Sequence, residues 1–192
     1  MSIDSNSLAF VFDGWDGYHT SLVHAIAPLS AEQLSFRDSP KVRSIGELAR
    51  HIAMCRIGWF SRIHAPLSAE LLEQVGPKAT DPDGNVHVDE RAIAIADNAA
   101  ELVRWLDASW RMIGRTLADW QVADLAKSYR YTYRGTIYNV SRQWTTFRIL
   151  LHDVHHGGQI ARILAVQGID ALELRALGGH ITEPPKADAP AT

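Results

Sequence analysis

Residues 141–168, SRQWTTFRILLHDVHHGGQIARILAVQG, read as one long helix. Ser141 can cap its first turn with a side-chain oxygen, and Gly168 supplies the residue that enters the left-handed region where a helix stops. Three histidines crowd its centre. His152 and His156 are four apart, so they stack on one face with Cβ atoms about 6 Å apart, while His155 points about 100° away. Ile149, Ile160 and Ile163 continue the face of the pair, which aims these imidazoles inward.

Working outward, the segment 44–65 gives a second long helix. Ser44 and Glu47 make a capping box, and Ile45, Leu48, Ile52, Trp59 and Ile63 form an apolar stripe that ends near Ala65-Pro66. His51 lies on its inward side, with Cys55 one turn on. A first helix carries Leu8, Val11, Phe12, Trp15, Leu22 and Ile26 and ends near Pro28; Ser30 with Gln33 caps a short turn that Ser39-Pro40 breaks. A third long helix shows Ala99, Leu102, Val103, Leu106, Trp110, Ile113 and Leu117 on one face, with Trp105 and Met112 off it, free to meet another element or a partner chain.

Between these lie two long connections. The run 76–87, GPKATDPDGNVH, is dense in turn formers and reads as a surface loop. In 126–138, AKSYRYTYRGTIY, alternating tyrosines and Gly135 break the helical period and predict an extended or hairpin-like connection before the last helix. The expectation is an all-α chain, an antiparallel four-helix bundle with long loops. A single domain would span 1–182, with 183–192, EPPKADAPAT, as a disordered tail.

Composition narrows the function. With 46% hydrophobic and 21% charged residues the chain can bury a core. A net charge of -3, with its arginines and lysines scattered and outnumbered by acids, argues against nucleic acid and anionic membranes as partners. One cysteine excludes an internal disulfide, and neither a basic leader nor a long apolar run is seen, so a cytoplasmic location is expected.

One inward histidine is ordinarily a hydrogen-bonded core residue, and two make a weak metal site. Three neutral imidazoles buried together need partners for every ring nitrogen, which favours a shared cation held by His51, His152 and His156. Imidazole suits zinc, nickel, iron and copper; zinc or nickel is the first expectation, with iron or manganese behind. Glu47 and Gln159 are candidates to hydrogen-bond the ligand rings. Arg130, Arg134 and Arg142 are candidates for a substrate carboxylate, against the plainer reading of a solvated rim. His19 lacks a motif partner and reads as core or rim. Cys55 can reach the metal but reads first as packing.

The paired segments HDVHHGGQI and SIGELARHIA resemble the last and second helices of the DinB/YfiT-like family, in order and in spacing. The resemblance spans residues 5–180 and implies a four-helix bundle with a three-histidine metal site at His51, His152 and His156. Family members often carry Arg where this chain has Gly157, so no anionic contact is expected there. Members include thiol S-transferases using low-molecular-weight thiols, thiol-dependent isomerases, and stress- or damage-induced proteins. An open three-imidazole site fits a metal-dependent transferase in which a small thiol attacks an electrophilic substrate. A hydrolase using a metal-activated water, or a stress-linked module with no catalysis, are the alternatives. A homodimer is expected from the spare aromatic surface.

Overall fold

A computed structural model describes residues 7–169; the proposed tail, 183–192, lies outside the described residues. The described chain runs α1 (Leu8–Val11), α2 (Trp15–Ile26), α3 (Ala31–Leu34), α4 (Ile45–Arg62), α5 (Ser68–Gln74), β1 (Lys78–Thr80), β2 (Val86–Val88), α6 (Ala99–Asp119), β3 (Ser128–Tyr133), β4 (Thr136–Ser141) and α7 (Arg142–Val166). It is mostly helical, but the all-α expectation is corrected by two small antiparallel sheets.

Local chemistry explains the boundaries. Ser44 Oγ accepts from Glu47 N–H while Glu47 accepts from Ser44 N–H, and Ser30 and Gln33 make the same reciprocal pair ahead of α3. Ser141 caps α7, and Gly168 follows it at φ +70°. The expected first helix is broken: Gly14 takes φ +91°, so α1 stops and α2 restarts at Trp15.

The turn-rich run 76–87 is not a plain loop. It pairs β1 with β2 in register Lys78↔Val88 to Thr80↔Val86, and buried Val88 anchors the hairpin to the core. Asp81 Oδ1 accepts from the backbone N–H of Asp83 and Asn85 and so folds the turn. The connection before α7 is a hairpin as well, with Ser128↔Ser141 at its root and Tyr133↔Thr136 at its tip. Its tip residues Arg134 and Gly135 both have positive φ, +51° and +73°, the conformation a two-residue hairpin loop requires. Asp83 supports that strained turn by accepting from both N–H groups, at 2.6 and 2.8 Å, which ties one hairpin to the other.

α4 packs against both α6 and α7, and α2 against the same two helices. The core between them is apolar, and Trp105 and Met112 are buried in it, widening the expected stripe of α6. Across this core runs a buried ion pair that the sequence pattern hides. Arg56 of α4 and Asp153 of α7 are both 0% exposed, with Nη2 2.8 Å from Oδ2. Arg56 Nε and Trp15 Nε1 donate to the same oxygen at 3.0 and 2.9 Å. The pair fixes α7 against α4 and therefore sets which face of α7 meets His51.

Candidate metal centre

His51 stands on α4 and His152 and His156 on successive turns of α7. The structure brings the three together: one ligand nitrogen from each lies within 4.8 Å of the other two. The ring centroids are 4.8 Å apart for His51–His152 and for His51–His156, and 4.4 Å for His152–His156. His51 Nε2 and His152 Nε2 are 3.1 Å apart.

Ring partners set the tautomers. Glu90, in the turn after β2, accepts from His51 Nδ1 at 2.8 Å, which leaves the Nε2 lone pair facing the cluster. Burial raises the pKa of Glu90, but its hydrogen bond with His51 and the charges of His51 and Arg43 outweigh that and hold it below the usual carboxylate range. His156 Nδ1 donates to Gln159 Oε1 at 2.7 Å, which frees its Nε2 in the same way. Burial, then the charges of the neighbouring imidazoles and arginines, pushes His152 down to about 2. His156 is lowered to about 4, mainly by burial. Both rings are neutral at pH 7 and so able to ligate.

The donor set fits a divalent cation. His152 Nδ1 has no hydrogen-bond partner among the described residues, so nothing there holds the ring's proton on Nε2 and away from the ligating tautomer. Tetrahedral nitrogens at about 2.0–2.1 Å from zinc sit roughly 3.3 Å from one another, close to the His51–His152 spacing.

Glu90 is the residue sequence reading missed. It comes from a connection with no periodic signal, 39 positions from His51. The connection is pressed onto α4 because Gly46 has no side chain: the Ala96 carbonyl occupies the space a Cβ would need. Arg50 Nη1 donates to Ile93 O at 2.8 Å and Arg43 Nη2 to Glu90 Oε1 at 3.0 Å, securing it further. Glu47, expected beside a ligand ring, instead serves the α4 cap and pairs with Arg37 at 3.3 Å.

The three arginines expected to share a carboxylate are not together. Arg130 is exposed on β3, Arg134 sits at the hairpin tip over Tyr133, and Arg142 is at the opposite end of the hairpin, 3.8 Å from the Trp120 ring centroid. Cations do gather elsewhere. A cavity of about 700 Å³ opens on His156 and Glu90 and is lined by Arg37, Lys41, Arg43, Arg50 and Arg91. Its acids are already paired: Glu47 with Arg37, Glu90 with Arg43, Asp38 with Arg162.

His19 lies away from the cluster, buried and stacked 5.0 Å from Trp110, between Arg56 and Asp107. Cys55 packs its sulfur 3.6 Å from His51 Nδ1, and burial pushes its thiol up to about 12, so it is no ready thiolate. Gly157 has a steric reason: the Tyr18 hydroxyl fills the position of a Cβ there, and no longer side chain fits. No helix among the described residues is long and apolar enough to cross a membrane.

The sequence model of the DinB superfamily matches residues 17–160, a span that includes all three histidines. The crystal structure of a DinB-like protein from Bacillus cereus ATCC 10987 is similar in fold, with a TM-score of 0.60 at 14% identity, covering 88% of this chain and 99% of that one. No curated protein matches the chain significantly. The three-histidine cluster fits a metal-binding protein of this kind, and by the extent of the family match the chain belongs to the DinB superfamily.

Proposed function

We propose that the protein holds one divalent transition metal, zinc or nickel, through His51, His152 and His156 and transfers a small thiol to an electrophilic substrate. In this reading α2, α4, α6 and α7 form an antiparallel four-helix bundle around the site. The observation that carries it is the juxtaposition of three imidazoles, two with Nδ1 held by Glu90 and Gln159, and an open cationic cavity.

A divalent ion held there supplies a Lewis acid that lowers the pKa of a thiol entering the open side of the site. The chain supplies the rest. Arg91, Lys41 and Arg50, which have no acidic partner among the described residues, attract the carboxylates of a low-molecular-weight thiol and orient its sulfur toward the histidines. The S–C bond forms as the bond from carbon to the leaving group breaks; a halide leaves with the bonding pair and the thiol proton passes to solvent. Glu90 keeps the proton on His51 Nδ1 throughout.

Hydrolysis is less well supported. Glu90, the carboxylate that touches the cluster, already accepts from His51 and Arg43, so no free base among the described residues is in place to take a proton from water. The test is conjugation of glutathione, cysteine and coenzyme A to chlorodinitrobenzene by zinc- and nickel-loaded protein, beside ester and amide substrates. Thiol conjugation that disappears in His152→Ala is expected. Ester or amide cleavage without conjugation, on protein with metal bound, would overturn the reading.

A further inference from the structure

A second cavity, of about 590 Å³, lies between the β3–β4 hairpin and the two helices that carry the histidines. Trp59 comes from α4, Tyr131 and Tyr138 from paired positions of the hairpin, and Trp144 and Arg148 from α7. The Trp59 ring is 5.3 Å from Tyr131 and 5.7 Å from Trp144, both tilted. Trp144 and Tyr138 remain 45% and 48% exposed, so the cavity has a large aromatic surface still in contact with water.

Two guanidiniums stand over this aromatic group, and they differ in one respect. Arg62, 4.7 Å from the Trp59 ring centroid, donates to the carbonyls of Gly58 and Val86. Arg148 is 4.5 Å from Trp59 and 5.4 Å from Trp144, yet no carboxylate or carbonyl among the described residues accepts from it. A guanidinium held against indoles, with its N–H groups free, is a receptor for an anion that arrives together with a ring. Trp59 is eight residues after His51 on α4, and Trp144 eight before His152 on α7. The cavity therefore lies about 12 Å along both helices from the histidine cluster, on the side away from the cationic cavity.

We propose that this cavity is a binding subsite for a small planar aromatic molecule carrying a single carboxylate, its ring against Trp59 and Trp144 and its charge on Arg148. Its role as the seat of the electrophilic substrate rests on the transferase reading; the binding itself does not. The volume suits one such molecule.

Calorimetric titration of the full chain with naphthoate and with neutral naphthamide, with and without zinc, tests the proposal. Saturable binding of naphthoate at least about tenfold tighter than naphthamide is expected. Arg148→Gln should bring the two affinities within about twofold while leaving naphthamide binding unchanged, and Trp144→Ala should weaken both about tenfold. Both side chains face solvent, and an unchanged Tm shows that the variants fold. Absence of saturable binding, equal affinities for the two probes, or wild-type binding by both variants overturns it. So does a fall in sedimentation mass in Trp144→Ala together with no naphthoate binding, which places a second copy of the chain on this face. The readout uses neither thiol nor turnover, so a lack of conjugation would leave naphthoate binding standing, and a lack of naphthoate binding would leave the metal centre standing.

Discussion

His51 Nε2 and His152 Nε2 lie 3.1 Å apart although 101 residues separate them in the chain. Without a metal, His152 must donate its Nε2 proton to His51 Nε2, because Glu90 holds the His51 proton on Nδ1. A cation shared by the lone pairs of the cluster would take the place of that proton, which would move to His152 Nδ1. The spacing is set by the packing of α4 on α7, where Arg56, five residues after His51, and Asp153, next to His152, form their ion pair.

Glu90 and Glu47 should separate cleanly in a metal titration. Glu90→Ala removes the acceptor that orients His51 and should weaken metal binding about 10- to 100-fold. Glu47→Gln should leave metal affinity unchanged, because that side chain is occupied at the α4 cap. Competition against a chromogenic chelator measures both.

Gly157→Ala should destabilise the fold by about 1–3 kcal/mol, since its Cβ would meet the Tyr18 hydroxyl. Tyr18→Phe removes that oxygen, and the double variant should recover part of the loss. Denaturant unfolding of the four proteins in the cycle reads the coupling, and strict additivity would show that the two sites do not meet.

The Arg56–Asp153 pair is buried on both sides. Arg56→Ala or Asp153→Ala should each cost about 3–5 kcal/mol by leaving a charge unpaired, whereas Arg56→Met with Asp153→Leu should recover most of it. Unfolding midpoints of the single and double variants would show whether the desolvated charge, rather than lost packing, dominates.

His19 gives the metal-free protein a pH dependence of known sign. Burial, reinforced by the Arg56 charge, lowers its pKa from 6.5 to about 3, while Asp107 faces its other nitrogen. Above pH 6.5 neither folded nor unfolded chain holds that proton, and the contribution is intact. Between 6.5 and about 3 the unfolded chain takes up a proton that the fold refuses, so stability falls as pH falls. In His19→Gln the slope over that window should be shallower by up to about 1.4 kcal/mol per pH unit, read by urea unfolding at several pH values. His152 and His156 add slope of the same sign in both proteins, so only the difference is assigned to His19.

What could be read from the sequence was local or periodic. The capping box at Ser44 and Glu47, the i, i+4 histidines and the glycine after α7 are encoded within a turn or two, and each appears as expected. Gly14 broke the first helix because an apolar stripe carries no information on backbone φ. The run 76–87 looked like a loop because its strands are three residues long, too short for alternation to show. Glu90 and the Arg56–Asp153 pair were hidden for a different reason: each depends on tertiary approach between distant segments. An arginine beside Ile57 on α4 looks like any flank of an amphipathic helix until its partner is placed.

Metal content decides the central claim. Protein purified without chelator, analysed by elemental mass spectrometry and titrated with zinc and nickel, should hold one divalent ion per chain. His51→Ala, His152→Ala and His156→Ala should each weaken it at least about 100-fold, and His155→Ala, on the exposed side of α7, should not. Binding that survives all three substitutions, or that His155→Ala weakens as strongly, would contradict a site built on those imidazoles.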